Sequence, residues 1–428
     1  MRRLIILALL LGGMRLVLPL GSGSGSAHSL LTFGFLILAA YTSGELATAA
    51  RLPRIVGYLI AGVVFGPSVL NIVNVEATRE LAPVSSLAIA LIAFLAGAEL
   101  RWSELRERGR AIATILPTEL ALTFLALTAL LVGLRDFVPF LQSTPTPTVI
   151  GFSLLFASIA VVHSPAVTMA LLTETGARGP VARTTLGVVL VSDVVVIVLF
   201  SGVLALVRAL VPPGAGDVAA VSLGSVVWEL GGAVVVGAVL GVAVAVYLRF
   251  VKRELMLFAV LVTFFGSEIA HLAHVETLLT LLTAGFVMEN ISRDGDGDAL
   301  RHAMERSGAP VFVVFFALAG AAMAVKEVLA IWPLVIPIVL VRAGGIWAGS
   351  RLGARWARVP AATGNLVWMG LISQAGVAIG LATVITEVYP MRGAPIRTLF
   401  LATLAVNQTV GPILFRLALA RGGELDGR

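Results

Sequence analysis

Pro180-VARTTLGVVLVSDVVVIVLFSGVLALV-Arg208 is the stretch on which this chain turns. A hydrocarbon layer of about 30 Å is crossed by roughly 20 helical residues at about 1.5 Å each, and this run is long and apolar enough. One carboxylate, Asp193, interrupts it. It falls about 17 Å from the start of the apolar run, near mid-bilayer. Inserting an ionised side chain there costs at least about 3 kcal/mol, so an intramembrane carboxylate marks an ion or proton path by default.

Working outward, the same apolar character recurs along all 428 residues, of which 58% are hydrophobic and only 13% charged. A soluble domain cannot hide that much apolar surface, so the excess must sit in membrane spans. We read fourteen apolar segments: 4–20, 29–50, 52–72, 83–100, 112–134, 147–173, 182–208, 224–248, 255–271, 276–291, 307–325, 330–350, 364–387 and 396–415. Most have a spanning length. The expected fold is an all-α polytopic membrane protein with about 13–14 transmembrane helices. Cysteine is absent, which excludes disulfides and Cys-ligated metals.

Charge gives the expected orientation. With the N-terminus inside, 22 of the 30 Lys and Arg residues fall in inner loops, 6 in outer ones, and Arg15 and Arg342 lie within segments. Basic residues favour the cytoplasmic side, so the C-terminus is expected in the cytoplasm and the protein in the plasma (inner) membrane. The +6 net charge is therefore topology and gives no reason to expect nucleic acid as a partner. Segment 4–20, followed by Gly21-SGSGSA, reads as a retained helix or a cleaved signal; we favour the helix.

Counting segments suggests symmetry. Residues 28–209 and 255–419 form two six-helix repeats, with 210–254 as a connecting helix that inverts one against the other; 1–27 and 420–428 are an N-terminal segment and a tail. The fifth segment of each repeat is interrupted, at Val162-His163-Ser164-Pro165 and at Gly370-LISQAG-Val377. Paired broken helices point to a transporter site at the midplane. Pro165 frees backbone carbonyls, and such groups persist only where they line a cavity or bind something. Ser164 adds a hydroxyl; Ser373, Gln374 and Gly376 lie at the second break.

Arg342, in Ile338-VLVRAGGIWAGS-Arg351, is also too deep for a loop. It is expected to compensate Asp193 in the absence of a bound ion, since an unpaired buried charge is costly; the alternative is a guanidinium reaching a helix carbonyl or the interface. Glu99 is a possible accessory carboxylate or a helix cap beside Arg101. His163 could ligate a cation or sense pH, or be a satisfied structural histidine. Glu45, Glu119 and Glu229 read as structural polar contacts, and Glu268, His271 and His274 as a weak metal candidate. Asp294-Gly-Asp-Gly-Asp298 to Glu305 imitates a calcium loop but reads as a solvated loop. Gly62 and Gly66 form a GxxxG pair expected to serve helix packing.

Taken in order, Leu52-PRIVGYLIAGVVFGPSVL-Asn71, Leu91-IAFLAGAEL-Arg101, His163-SPAV, Ser192-Asp193, Phe315-FALAG-Ala321, Arg342 and Ser373-QAGVAIGLA-Thr383 resemble the monovalent cation–proton antiporter superfamily, in its sodium/proton branch. The resemblance implies the NhaA-type antiporter fold, two inverted repeats with crossed broken helices. It also implies a homodimer whose protomers each move a core domain like an elevator, with Asp193 carrying the exchanged ion. No cofactor is expected beyond the transported sodium or other monovalent cation and the proton, and no enzymatic activity. Ser192-Asp193 stands where the family usually has Asn-Asp or Asp-Asp, and His163-Ser164-Pro165 where one branch has Thr-Asp-Pro. Cation and proton competing for Asp193, with Ser164 and Ser192 supplying oxygens, would give electroneutral exchange. The rival readings are a sodium-coupled organic-anion symporter of the same architecture and, less favoured, a membrane-embedded hydrolase.

Overall fold

In the computed structural model, the residues described are 2–17, 25–138, 141–211, 223–250, 255–292, 296–323, 325–374 and 377–425. All regular structure among them is helical. The chain runs α1 (Arg2–Val17), α2 (Gly25–Ala49), α3 (Arg54–Phe65), α4 (Val75–Glu80), α5 (Ala82–Ala98) and α6 (Trp102–Gly133). There follow α7 (Thr146–Ala160), α8 (Pro165–Thr175), α9 (Pro180–Leu210), α10 (Leu223–Phe250), α11 (Leu255–Leu272), α12 (Thr277–Ile291) and α13 (Asp296–Ala321). The chain closes with α14 (Val325–Ala330), α15 (Trp332–Trp356), α16 (Ala361–Gly364), α17 (Val367–Gly370), α18 (Val377–Val388) and α19 (Pro390–Arg421). Seven helical stretches are long and apolar enough to cross a membrane by themselves. Each of the fourteen expected segments contains helix.

Three boundaries differ from the sequence reading, each for a local reason. α3 stops at Phe65, where Pro67 and Asn71 (φ 49°) turn the chain. Ser68 Oγ then ties that turn to Met323 O at 2.6 Å. α6 begins at Trp102, so Arg106, Arg108 and Arg110 lie on its first turns and not in a loop. No Gly-Pro signal interrupts 102–111, and Glu and Arg are good helix formers. The calcium-like stretch is also helical from Asp296 onward, which overturns the solvated loop; Asp294 lies outside the described residues.

The buried apolar residues fall into two large clusters. One draws on α2–α5, α8 and α10–α13, the other on α6, α7, α15, α17 and α18, and α9 and α19 contribute to both. Within a bilayer, helices associate through close packing where small residues allow it. Gly62 and Gly66 of α3 press on Ala317 and Ala321 of α13, and Gly97 of α5 and Gly285 of α12 meet each other's helix backbone. Across α15, Gly345, Gly349 and Gly353 recur every four residues against Thr123, Glu119 and Ile115 of α6. Thr118 and Thr114 of α6 add hydroxyl bonds to the carbonyls of Gly349 and Gly353, both 3.0 Å. That stripe brings the backbones of α6 and α15 together and so sets the depth of Glu119 and Arg342.

Elsewhere, Glu45 bridges Arg3 and Arg54 at 2.9 and 3.0 Å, the polar contact expected of it. The Glu424 carboxylate reaches back to the start of α9 and accepts the N–H groups of Val181 and Ala182 at 2.6 and 2.9 Å. The tail thereby caps the helix that carries Asp193, supplying partners that an N-terminus lacks.

Candidate functional site: a saturated crossing beside an open cavity

Both interruptions are real breaks. α7 ends at Ala160, the chain passes through Val161–Ser164, and α8 restarts at Pro165. Proline suits the first helical position because its missing N–H would lack a partner there anyway. Ser164 caps the restart, its Oγ accepting from Val167 N at 3.2 Å. At the second interruption α17 ends at Gly370 and α18 begins at Val377, with Leu371–Gln374 irregular between them. Ala375 and Gly376 lie outside the described residues, so the site role expected of Gly376 has no structural counterpart.

Broken helices leave carbonyls without intrahelical donors. Arg342 answers three of them: Nε donates to Ala160 O at 2.6 Å, one terminal nitrogen to Ile372 O at 2.7 Å and the other to Val162 O at 3.0 Å. The side chain is 1% exposed. One guanidinium thus ties the end of α7 to the second break. This corrects the expectation that Arg342 pairs with Asp193. A planar fork with five donors is held by the negative ends of two helices, and the alternative reading, a helix carbonyl, is the one realised.

Gln374 reinforces the same point, its Nε2 donating to Ala160 O at 2.6 Å while its Oε1 accepts from Asn407 Nδ2 of α19 at 2.7 Å. His163 uses both ring nitrogens, Nδ1 to Leu371 O at 2.7 Å and Nε2 to Glu119 Oε2 at 3.0 Å. A carbonyl can only accept, so Nδ1 carries a proton. The Nε2–Oε2 contact then holds one shared proton, and the pair is neutral overall whichever partner bears it. Thr123 Oγ1 donates to the other oxygen of Glu119 at 3.1 Å. Glu119 and His163 are both fully buried. His163 is therefore a satisfied histidine, and Glu119 a polar contact of the crossing.

Asp193 sits in a different environment. Its Oδ1 is buried and accepts no hydrogen bond. The residue lines a cavity of about 40 Å³ with Ser164, Pro165 and Ala166 of the first break, Ile89, Ile92 and Ala93 of α5, Leu278 and Leu282 of α12, and Phe315 of α13. That space suffices for about one water-sized occupant. A second void, of about 20 Å³, adjoins Asp193 on the side of Glu276 and Leu279. The carboxylate faces α5, α12 and α13 from α9, a helix whose residues enter both apolar clusters.

The remaining expected residues divide. Ser164 and Pro165 share the cavity with Asp193. Ser192 does not line it; its Oγ donates to Val189 O of its own helix at 2.7 Å, and consecutive helical residues point about 100° apart. Ser373 is buried with its hydroxyl unpartnered, packed on Gly411 of α19. Glu99 ends α5, two turns beyond the cavity-lining Ala93. Among the described residues no group of three His, Asp or Glu side chains could hold a resident metal, Glu268, His271 and His274 included. Glu119 and Glu276 carry more of the site than the sequence reading assigned them. Spacing gave a partial signal for Glu119, two residues past Pro117 on the helix that packs against α15.

Residues 34–418 match the family described as "Sodium/hydrogen exchanger, transmembrane". By fold, the chain is similar to the sodium proton antiporter MjNhaP1 of Methanocaldococcus jannaschii in two solved structures. The one at pH 8 has TM-score 0.67 and 16% identity, covering 92% of this chain and 99% of that one. The electron-microscopy structure has TM-score 0.67, 18% identity and coverage of 92% and 98%. No curated protein matches the sequence. An all-helical, multi-span antiporter fold and a family match over nearly the whole length agree: this chain belongs to the sodium/hydrogen exchanger family, a family of transporters rather than enzymes.

Proposed function

We propose that the protein exchanges one sodium ion for one proton across the membrane by alternating access, both competing for Asp193. The observation that carries this is the buried, unpartnered Oδ1 of Asp193 in a cavity shared with the first helix break. A carboxylate so placed must take up a proton or a cation, because an uncompensated buried charge is costly. Sodium is a hard cation and seeks oxygens. Asp193 and the Ser164 hydroxyl supply them on this chain. Ser192 enters the shell only through a rotamer change that breaks its bond to Val189. With one carboxylate carrying one charge, exchange is electroneutral.

Alternating access follows from the way α9 faces α5, α12 and α13. The body made of α6–α9 and α15–α19 carries the ion, and sliding it past the body made of α1–α5 and α10–α13 exposes Asp193 to either side. The two breaks, as matching parts of inverted six-helix repeats, give that body a site that each face can reach in turn. Arg342 holds the crossing rigid while it moves. The second body then forms the homodimer interface in the plasma membrane, with the C-terminus cytoplasmic. An organic-anion symporter is disfavoured because a void of about 40 Å³ is far smaller than such a substrate.

Proteoliposomes holding an internal pH indicator provide the test. Added sodium should dissipate a preset pH gradient at a rate unaffected by clamping the voltage with an ionophore. Asp193→Asn should remove that signal. A voltage-dependent rate would overturn electroneutrality, and sodium-driven proton flux surviving in Asp193→Asn would overturn the site.

A further inference from the structure

Glu276 has no part in the exchange scheme above, yet it shares a void with Asp193. The two carboxylates line the same space of about 20 Å³, between Leu190, Val194 and Ile197 of α9 and Leu278, Leu279 and Leu282 of α12. Glu276 is also the N-cap of α12, its Oε2 accepting from Leu279 N at 2.5 Å. Its own N–H donates to the carbonyl of Glu229 on α10 at 3.2 Å, and the Glu229 side chain lies at the protein surface. Glu229 thus sets an exposed carboxylate on the helix that holds the Glu276 backbone.

A helix cap alone does not account for Glu276. Asn, Asp, Ser and Thr are the favoured caps, and a short neutral hydroxyl would satisfy the same N–H. A glutamate adds a full negative charge beside a second buried carboxylate, an arrangement that repels unless a proton or cation sits between them. The sign that an occupant belongs near Glu276 is that Asp193, which lines this void too, has its Oδ1 buried and without a donor.

We propose that Glu276 is a second cation-binding carboxylate, which clamps sodium against Asp193 on one face of the transport cycle only, with Glu229 attracting cations to it from solution. The one-sidedness comes from the fold. Asp193 rides on α9, whereas Glu276 belongs to the packing of α10 and α12. When α9 slides, Asp193 leaves Glu276 behind, so the clamp exists at one end of the stroke. The transporter is then asymmetric: it captures sodium more tightly from the Glu276 side, the external one by the distribution of basic residues.

This inference rests on the exchange reading, so the test begins with wild-type protein. Its orientation in proteoliposomes is fixed by protease accessibility of a C-terminal tag, and sodium KM is measured from each face at constant ionic strength with choline. Glu276→Gln should raise KM from the Glu276 face about tenfold, the size expected of one nearby charge in a partly desolvated site, and change the other face less than twofold. Glu276→Ser, which keeps a cap without a charge, should behave like Glu276→Gln, and Glu276→Asp should recover most of the affinity. Glu229→Gln, at an exposed position, should raise KM from the same face about twofold at low ionic strength and lose that effect at high. Wild-type affinity in Glu276→Ser, an equal change on both faces, or no change at all would overturn the clamp. Absence of exchange in the wild type would instead overturn the proposed function.

Discussion

Two buried polar regions lie within a few residues of each other on the first broken helix, and they are built on opposite terms. At the crossing, every charged or amide group is answered: three carbonyls by Arg342, Ala160 O a second time by Gln374, Gln374 by Asn407, and both nitrogens of His163 by Glu119 and Leu371. At the cavity, Asp193 Oδ1 is left without a partner among apolar walls. Saturated networks rigidify, while unsaturated groups store binding capacity. In the proposed scheme the crossing keeps its shape and the cavity changes occupant. A guanidinium spent on helix carbonyls cannot also quench Asp193, and the proposal gives that carboxylate to the transported ions.

The sharpest way to break this comparison is to remove one charge from each region. Arg342→Leu strips donors from three buried carbonyls at once, and its cost should be about 3–5 kcal/mol, the range seen when one partner of a buried charged network is deleted. In detergent this should appear as lost monodispersity or a strongly lowered apparent melting temperature. Asp193→Asn should leave stability within about 0.5 kcal/mol, because no hydrogen bond is lost with it, yet abolish exchange. If both variants fold equally well, or both unfold, the two regions are not doing different jobs.

Glu119→Leu sharpens the same contrast inside the crossing. It orphans His163 Nε2 and the Thr123 hydroxyl, and should destabilise by about 3 kcal/mol, whereas Glu119→Gln keeps a partner for each, its oxygen accepting from Thr123 and its NH2 donating to Nε2 of a neutral His163, and should cost about 1 kcal/mol. Adding His163→Leu to Glu119→Leu should cost less than the two single effects combined, since residues in one network are not additive. Additive melting shifts in that cycle would mean that the pair is not coupled.

What the sequence disclosed and what it withheld follow the same division. The breaks were legible because Pro165 and the Gly370–Gly376 run are local, covalent facts about helix continuity. That Arg342 and the Asp193 carboxylate lie buried was legible because both interrupt long apolar runs. Their partners were not, because pairing depends on which helices cross, and Arg342 reaches residues 180 positions or more away at Ala160 and Val162. Opposite charges invited the Asp193–Arg342 pair, but the stronger local demand came from helix-end carbonyls, which carry no sequence signal of their own. Ser192, adjacent to Asp193 in sequence, instead faces another side of α9 and bonds Val189 O, a geometry that sequence adjacency conceals. The start of α13 across the aspartate-rich stretch shows that spacing borrowed from a calcium loop says nothing without the flanking helix pair.

Packing sets the next size of effect. At Gly349 an added Cβ would meet the backbone of Glu119 and Thr118, which cannot move aside without carrying Glu119 with it. Gly349→Ala should cost about 1–3 kcal/mol, as overpacking generally does. Gly344, whose Cβ would meet nothing within 4 Å, should accept alanine with little change, which controls for helix propensity alone. A similar loss at both positions would show that the glycine stripe is not what brings α6 and α15 together.

The smallest expected effect tests whether the cavity is also held from outside the membrane. Glu424 is the tail's contribution to α9, two charge-assisted bonds to Val181 and Ala182 at the end of the helix that carries Asp193. Removing it in Glu424→Ala should cost about 1 kcal/mol, the usual value of an N-terminal cap. Because α9 extends roughly 1.5 Å per residue from that cap to Asp193, fraying of one turn leaves the carboxylate still inside intact helix. Exchange should accordingly persist, with a modest fall in apparent melting temperature and faster hydrogen exchange confined to residues 180–184. A drop in transport larger than the drop in stability would instead make the tail a lever on α9, and the division between a rigid crossing and an open cavity would have to be redrawn to include the C-terminal cap.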